Sequence, residues 1–266
     1  MKKEKVAGGS SLWIRPEFAP IPYCPGCQEP VAGEAILQVL EEMDLVKDTI
    51  VIPGVGCSSF LPFLWKMDFV MTAHGRPPDV ATAVKRILKY PLVFTVQGDG
   101  DCFAIGAGST ISAAVRGEKV TMIMLNNTNY GTTGGQMAPT TILGERTSTT
   151  PLGRGLNEEG FPAHVAETLA TFRGVCYSAR TAVNTAANFQ RTKRYLRTAF
   201  QKQKEGLGLS YVEIIVACPP NRKLTPLETV KWIDEEVLAE FPLGEFKSVA
   251  REETREKERE LVEVKR

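Results

Sequence analysis

The 266-residue sequence has no excess of either charge and no long apolar segment. Its 32 basic side chains are balanced by 31 acidic ones, and a net charge of +1 provides no attractive field for nucleic acid or an anionic membrane. No run approaches the roughly 18 consecutive apolar residues of a membrane helix. The basic start MKKEK lacks the apolar core of a signal peptide. We therefore expect a cytoplasmic protein that binds neither nucleic acid nor membrane.

Helix and strand patterns alternate along the chain. Apolar residues recur at helical spacing from Ala32 to Met43, and short apolar runs that end in glycine or polar residues are typical of buried strands. Such alternation predicts a doubly wound α/β fold, with a mostly parallel sheet covered by helices on both faces. The other predicted elements are strands Thr49–Pro53, Leu92–Gln97, Val120–Leu125 and Leu209–Ala217, and helices that begin near Pro78 and cover Phe103–Val115, Ala163–Phe172 and Asn184–Lys204.

The composition changes at both ends of the chain. Prolines at positions 16, 20 and 22 predict an extended N-terminal segment over residues 1–22. The last residues, 249–266, are mostly charged and indicate a solvated helix or tail, with a docking arm for a partner as the alternative. One domain is expected between them, over residues 23–248.

Polar residues follow two successive predicted strands. Gly98-Asp99-Gly100-Asp101 ends one strand and Asn126-Asn127 ends the next, at the edge where open α/β sheets bind ligands. Carboxylate, amide and carbonyl oxygens suit Mg²⁺, which also takes water and phosphate oxygens. Glycines allow the backbone to approach a diphosphate closely, and the following helix N-terminus attracts its charge. Ordinary turns use the same residues, but the spacing of the two together favours a magnesium diphosphate site.

Six cysteines without a secretory signal indicate metal binding or catalysis rather than disulfides. Cys24 and Cys27 form a CxxC pair, while Cys57 and Cys218 each follow a predicted strand. Four thiolates from three segments suit either a 4Fe–4S cluster or structural zinc, and spacing alone does not separate the two. Cys102 and Cys176 lie in apolar surroundings and are expected to be small buried residues.

Several motifs together resemble a known family. Gly98-Asp99-Gly100 with Asn126-Asn127 looks like the thiamin diphosphate fingerprint. The chain from about Tyr23 to Lys247 resembles the β subunits of 2-oxoacid:ferredoxin oxidoreductases. The motifs that carry this resemblance are Cys24-Pro25-Gly26-Cys27, Val55-Gly56-Cys57-Ser58, Ala73-His74-Gly75-Arg76, the run Tyr130 to Thr141 and Pro242 to Lys247.

This resemblance implies roles for individual residues. Mg²⁺ would be held by Asp99, the side chain of Asn127 and the backbone carbonyl of Asn129. Of the two histidines, His74 is expected beside the reactive region and His164 in an exposed helical position; His74 and Thr132 are the catalytic candidates. The expected 4Fe–4S ligands are Cys24, Cys27, Cys57 and Cys218, the expected diphosphate contacts are Gly98, Gly100, Asp101, Gly131 and Thr132, and the residues against the cofactor rings are Val55, Gly56, Cys57 and Ser58.

The implied activity is oxidative decarboxylation of a 2-oxo acid to its acyl-CoA, with electrons passing through the 4Fe–4S cluster to ferredoxin. Thiamin diphosphate, Mg²⁺ and the cluster are the implied cofactors, and coenzyme A is a co-substrate. The implied partners are an α subunit, which supplies the activating glutamate, a γ subunit and a small ferredoxin-like subunit. The chain alone is therefore expected to be inactive.

The substrate and two other functions stay open. The uncharged segment 59–64 favours a branched-chain acid of the 2-oxoisovalerate type, whereas 2-oxoglutarate requires a cation that Arg76 or the α subunit could supply. Pyruvate and aryl pyruvates are further options. The other functions are a cluster-free thiamin decarboxylase or synthase with structural zinc, and a module that binds the cofactor without turnover. The family usually continues its CxxC with Gly-His, but Gln28-Glu29-Pro30 stands here and alters the surroundings of the cysteines.

Overall fold

A computed structural model describes residues 14–18, 21–88 and 92–250. Most of the predicted N-terminal segment and the charged tail after residue 250 lie outside the described residues. The strands are β1 Thr49–Pro53, β2 Asp68–Phe69, β3 Leu92–Gly98, β4 Thr121–Asn126, β5 Asn129–Tyr130, β6 Gln136–Met137, β7 Val175–Ala182, β8 Leu209–Ile215 and β9 Gly244–Ser248. The helices are α1 Glu29–Glu42, α2 Phe60–Leu64, α3 Pro77–Leu88, α4 Ala107–Arg116, α5 Val165–Ala170, α6 Ala186–Lys204, α7 Pro219–Arg222, α8 Pro226–Trp232 and α9 Leu238–Glu240.

Seven strands form one sheet in the order β2-β1-β3-β4-β8-β7-β9. Every neighbouring pair is parallel except β7 and β9, which run antiparallel. Strands β1, β3, β4, β7 and β8 have few exposed positions, as expected of a parallel sheet covered on both faces. The predicted doubly wound, mostly parallel sheet is confirmed.

Two apolar clusters cover the two faces of the sheet. Side chains of α1 and α6 pack with Phe94 and Val212 on one face. Side chains of α3, α4 and α5 pack with Met122 and Tyr211 on the other. Leu and Val predominate in the first cluster, and Val and Ala in the second, so hydrophobic burial stabilises the sheet while the connecting loops form its carboxyl edge. Among the described helices, none has the length and apolar character needed to cross a membrane.

Two predictions on elements need correction, and one long strand was missed. The predicted helix from Phe103 to Val115 is divided into a π-helical turn, Asp101–Ile105, and α4, because Gly106 packs where a Cβ would lie 2.4 Å from the Asp101 carbonyl oxygen. His164 precedes α5 and is half-buried, with Nε2 2.8 Å from Glu240, so the prediction of an exposed helical histidine is wrong. Strand β7 was not predicted.

Candidate functional site

Four loops that carry predicted site residues meet at the carboxyl edge of the sheet. They follow the adjacent parallel strands β1, β3, β4 and β8, so their starting points lie side by side. Gly98 at the end of β3 pairs with Leu125 of β4, which places Asp99 and Asn127 beyond neighbouring strand ends as expected. The sheet therefore brings the glycine-aspartate loop, the asparagine loop and two cysteine segments to one place.

Asp101 connects the loop after β1 with the segment that follows β2. Its Oδ1 accepts hydrogen bonds from the backbone N–H of Val55 at 3.2 Å and of Gly75 at 2.9 Å, and it also contacts Nδ1 of His74. Its Oδ2 accepts from Nε2 of Gln97 at 2.6 Å. The side chain is 2% exposed, so these neighbours occupy the buried carboxylate. Asp101 thus fixes the position of His74 relative to the loop after β1.

Asp99, Asn127 and Asn129 are buried together. Asp99 Oδ1 accepts from the N–H of Gly100 at 2.8 Å, and its other oxygen accepts from the hydroxyl of Thr140. Asn127 Oδ1 accepts from the N–H of Asn129 at 3.2 Å, while Asn129 Nδ2 donates to the Asn127 carbonyl at 2.8 Å. These contacts set an acidic and amide oxygen pair at the two strand ends.

Burial makes the Asp99 carboxylate a favourable place for a cation. The side chain is 2% exposed, and burial raises its pKa to about 7, although hydrogen bonds from Thr140 and Gly100 partly oppose the rise. The charges of Glu145 and Glu213 raise it further. A divalent cation would supply the missing positive charge, and carboxylate and amide oxygens are the ligands that Mg²⁺ prefers. The donor set fits the predicted metal.

The glycines of the site differ in what surrounds them. A Cβ on Gly100 would lie 2.1 Å from the ring of Tyr130, so only glycine allows that ring to cover the loop. A Cβ on Gly98 would meet nothing within 4 Å, and that backbone stays open to a ligand. A Cβ on Gly56, which has a φ of +130°, would lie 3.9 Å from the hydroxyl of Thr132. The loop after β1 therefore reaches the loop after β4.

Two of the predicted cysteine ligands flank the same glycine. A Cβ on Gly131 would lie 3.4 Å from the sulfur of Cys57 and 3.7 Å from the sulfur of Cys218. Cys57 Sγ is also 2.9 Å from Oγ1 of Thr132. The hydroxyl of Tyr23 donates to the carbonyl of Cys57 at 2.9 Å, which fixes this segment from the other side. The sulfurs thus adjoin the residues predicted to line the diphosphate.

Electrostatic effects connect all four predicted ligands. Burial raises the pKa of Cys57 to about 11, and the charges of Glu29, Cys218 and Cys24 add to this effect. Burial likewise raises the pKa of Cys27, with contributions from Glu29, Cys218 and Cys57. In the described part of the chain, no three His, Cys, Asp or Glu side chains are grouped closely enough to hold one metal ion.

The predictions for Cys102 and Cys176 are confirmed, because both are buried at 0% and 2% exposure. The Cys102 thiol lies 3.7 Å from the hydroxyl of Thr110, and the Cys176 thiol lies 3.5 Å from that of Ser210. Both cysteines belong to apolar clusters of the sheet. They serve as internal controls for the four cysteines at the edge.

The sequence analysis missed several residues that shape the site. Glu29 is 2% exposed, its Oε2 has no hydrogen-bond partner, and burial raises its pKa to about 8, with a further rise from the charge of Asp99. Arg222 pairs with Glu145 at 2.8 Å beneath the asparagine loop. Asn221 contacts that loop as well. Glu29 was noted only as part of a departure from the family's usual Gly-His, and no local motif marks Asn221 or Arg222, because their partners are distant in sequence.

Comparison with known proteins agrees with this geometry. Residues 54–214 match the C-terminal TPP binding domain of thiamine pyrophosphate enzymes. The ketoisovalerate oxidoreductase subunit VorA of Methanothermobacter marburgensis is 36% identical over 85% of this chain, and the match covers 47% of VorA, so the chain spans about half the length of this relative. The 2-oxoglutarate synthase subunit KorB of Methanocaldococcus jannaschii is 30% identical over 94% of this chain and 96% of KorB.

A solved structure shares the fold. The 2-oxoglutarate:ferredoxin oxidoreductase from Magnetococcus marinus, with 2-oxoglutarate, coenzyme A and succinyl-CoA bound, superimposes with a TM-score of 0.73 at 24% identity, over 90% of this chain and 84% of that one. The chain therefore carries the cofactor-binding domain of the thiamine pyrophosphate enzymes. Within that class, it belongs to the family of 2-oxoacid:ferredoxin oxidoreductase subunits, as the sequence motifs indicated.

Proposed function

We propose that this chain is the thiamin diphosphate-binding β subunit of an enzyme that oxidatively decarboxylates a 2-oxo acid to its acyl-CoA and passes the electrons to ferredoxin. One observation carries this proposal: Cys57 and Cys218 flank Gly131, in the same loop that holds the predicted Mg²⁺ ligands. A redox centre there would adjoin the cofactor. This arrangement distinguishes an oxidoreductase from a simple decarboxylase.

In this proposal Mg²⁺ is held by Asp99, the Asn127 side chain and the Asn129 carbonyl. Bound thiamin diphosphate would supply the carbanion chemistry that cleaves the bond to the carboxylate. The protein would contribute the buried anionic and amide oxygens, the open backbone at Gly98, and the glycine at position 100 that lets Tyr130 cover the loop. Because neighbours occupy the Asp101 carboxylate, Asp101 would approach the diphosphate through its backbone.

The cysteines at positions 24, 27, 57 and 218 would hold a 4Fe–4S cluster, which accepts and donates single electrons. Buried thiols with raised pKa values lose their protons when a cationic metal centre binds. Thr132 lies against Cys57 and would thus stand between the cluster and the substrate. His74 is held through Nδ1 by Asp101, and its Nε2 is the ring atom that would meet the substrate.

For the substrate we propose a branched-chain 2-oxo acid of the 2-oxoisovalerate type. Nη1 of Arg76 donates to the hydroxyl of Ser109 at 2.6 Å and lies 3.7 Å from Asp79, so neighbours engage one arm of the half-exposed guanidinium that a second substrate carboxylate would need. Segment 59–64 presents partly exposed rings of Phe60 and Phe63. The alternative is 2-oxoglutarate, which the similarity to KorB over nearly the whole chain supports.

The proposed assembly contains α, γ and small ferredoxin-like subunits. The relatives are named as subunits, and the VorA relatives are about twice as long as the matched region. A partner would therefore complete the active site, and the isolated chain would not turn over 2-oxo acids. Cytoplasmic location and a domain over residues 23–248 remain part of the same proposal.

The test is to purify the assembled complex without oxygen and add single 2-oxo acids while recording visible absorbance. We expect a brown complex whose absorbance is bleached by 2-oxoisovalerate. Bleaching by 2-oxoglutarate alone would change the substrate but keep the reaction. Cys57→Ser should lose iron and bleaching, whereas Cys176→Ser, at a buried position in β7 away from the site, should keep both. A colourless complex with stoichiometric zinc would overturn the oxidoreductase proposal.

A further inference from the structure

Helix α7 joins the segment of a predicted cluster ligand to the loop of the predicted magnesium ligands. It begins at Pro219, immediately after Cys218, and ends at Arg222. Its last two side chains both turn to the loop after β4. Asn221 Nδ2 donates to Oδ1 of Asn129 at 3.1 Å and to the carbonyl of Gly131 at 2.9 Å, and it lies 3.5 Å from the Cys218 sulfur. One amide group therefore contacts both sites.

Arg222 holds the other end of the same loop. Its Nη2 donates to the carbonyl of Asn127 at 2.9 Å and to the hydroxyl of Thr128, and its Nη1 donates to Oε1 of Glu145 at 2.8 Å. The guanidinium also lies over the ring of Trp232, 3.5 Å from its centroid. Buried on all sides, it has little freedom to move independently of α7. The loop is thus fixed from Asn127 to Gly131 by two successive residues of one short helix.

Thr128 shows why the loop needs this support. Its φ of +61° is a conformation that a non-glycine residue adopts at a cost. Contacts from Asn126, Glu145 and Arg222 over-determine it: Thr128 N–H donates to Asn126 Oδ1 at 3.0 Å, and its hydroxyl donates to Glu145 at 2.9 Å. Because this turn sets the directions of Asn127 and Asn129, loss of the Arg222 contacts would release both predicted ligands.

From these contacts we propose that Asn221 and Arg222 are positioning residues that couple the two cofactor sites. When Cys218 binds a cluster, the position of α7 is restrained. Helix α7 in turn holds the loop 127–131 in the conformation that binds Mg²⁺ and the diphosphate. By linkage, the bound diphosphate stabilises the segment that carries Cys218. This inference rests on the proposed function. Couplings between two linked sites are typically about 5- to 150-fold, and we expect about tenfold here.

The experiment uses the assembled complex and measures the rate at which a ferrous chelator removes iron. In the wild type, Mg²⁺ with thiamin diphosphate should slow iron release about tenfold. In Asn221→Ala the same addition should change the rate less than twofold, while the starting iron content stays normal. Asn188→Ala is the matched control, because Asn188 lies in the first turn of α6 and bonds only within that region. It should retain the tenfold effect.

A second variant guards against misfolding. Arg222→Lys keeps a cation beside Glu145 but lacks the second donor arm that reaches the Asn127 carbonyl, so we expect an intermediate effect of about threefold. Equal slowing by the diphosphate in wild type, Asn221→Ala and Arg222→Lys would overturn the coupling and leave the proposed function intact. No slowing in the iron-containing wild type would also overturn it. A wild-type complex without iron would instead refute the proposed function on which the inference rests.

Discussion

Replacing Arg180 with methionine tests an ion pair at the centre of the sheet. The Arg180 side chain, on β7, is 0% exposed, and its Nε lies 3.0 Å from Oε2 of Glu213, which is also 0% exposed. Nη1 and Nη2 donate to the two oxygens of Glu167 at 2.8 and 2.5 Å. The rings of Phe241 and Phe246 lie about 5 Å from the guanidinium carbon. Methionine would fill the space but remove the charge.

The expected loss follows from the carboxylate that remains. Removing one partner of a buried ion pair costs about 3–5 kcal/mol, because the other charge is left without compensation. Burial already raises the pKa of Glu213, and Arg180 and Asn126 oppose the rise. Without Arg180 the pKa rises further, and the folded variant binds a proton that the unfolded chain releases above its ordinary pKa. Stability of the variant should therefore fall as the pH rises, and the deficit should be larger at pH 8 than at pH 5.5.

Urea denaturation followed by tryptophan fluorescence measures the difference. Arg197→Met is the control, since Arg197 pairs with Glu42 where both side chains are more than 40% exposed, and its loss should cost less than about 1 kcal/mol. Adding Glu213→Gln to Arg180→Met should recover part of the stability and flatten the pH dependence. A loss below about 1 kcal/mol in Arg180→Met, or no recovery in the double variant, would refute the reasoning.

Three further predictions concern the site itself. Gly131→Ala would place a Cβ 3.4 Å from the Cys57 sulfur, and we expect the iron content per complex, measured by colorimetric assay, to fall at least twofold. Gly98→Ala is the control, because a Cβ at position 98 would meet no atom within 4 Å, and it should keep its iron. Asp99→Asn removes the buried charge, and calorimetry should show Mg²⁺-dependent binding of thiamin diphosphate at least tenfold weaker. Burial raises the pKa of Glu29 to about 8, so this group should lower the unfolding free energy of the cluster-free chain by roughly 1 kcal/mol per pH unit between pH 5 and 8. Asp99 adds a slope of the same sign below about pH 7, so Glu29→Gln should make the slope in urea titrations shallower by roughly 1 kcal/mol per unit without abolishing it.

Most residues of the strands that sequence reasoning identified are apolar. Segments such as TIVIP and VTMIML are apolar except for one threonine each, so their composition indicates burial on both faces of the sheet. Strand β7 reads VCYSARTA and is buried at every position, yet Ser178, Arg180 and Thr181 break the apolar pattern. Their partners come from Ala166, Glu213 and Thr192. Strand β8 also buries polar residues, Ser210 and Glu213, but it continues into the apolar run 214–217, whereas β7 has no apolar run longer than three residues.

Some residues of the candidate site could likewise be predicted from the sequence, and others could not. Asp99 and Asn127 could be predicted because each follows a recognisable strand, and parallel strands bring such residues to one edge. The four cysteines could be grouped as metal-ligand candidates from their positions, but only the family motifs favoured a 4Fe–4S cluster over zinc. Asn221 and Arg222 act on residues about 90 positions earlier in the chain, and nothing local distinguishes them from ordinary helix residues.

The unusual residues after the CxxC motif have a physical role in this fold. Gln28 accepts a hydrogen bond from the Ala217 N–H through its side chain at 3.0 Å and donates its own N–H to the Ala217 carbonyl at 3.2 Å. The segments of Cys27 and Cys218 are therefore joined one residue away from each sulfur. Glu29 follows as a buried carboxyl that raises the pKa of nearby thiols. Gln28 thus holds the segments of Cys27 and Cys218 together, and Glu29 adds a buried acidic group beside the sulfurs.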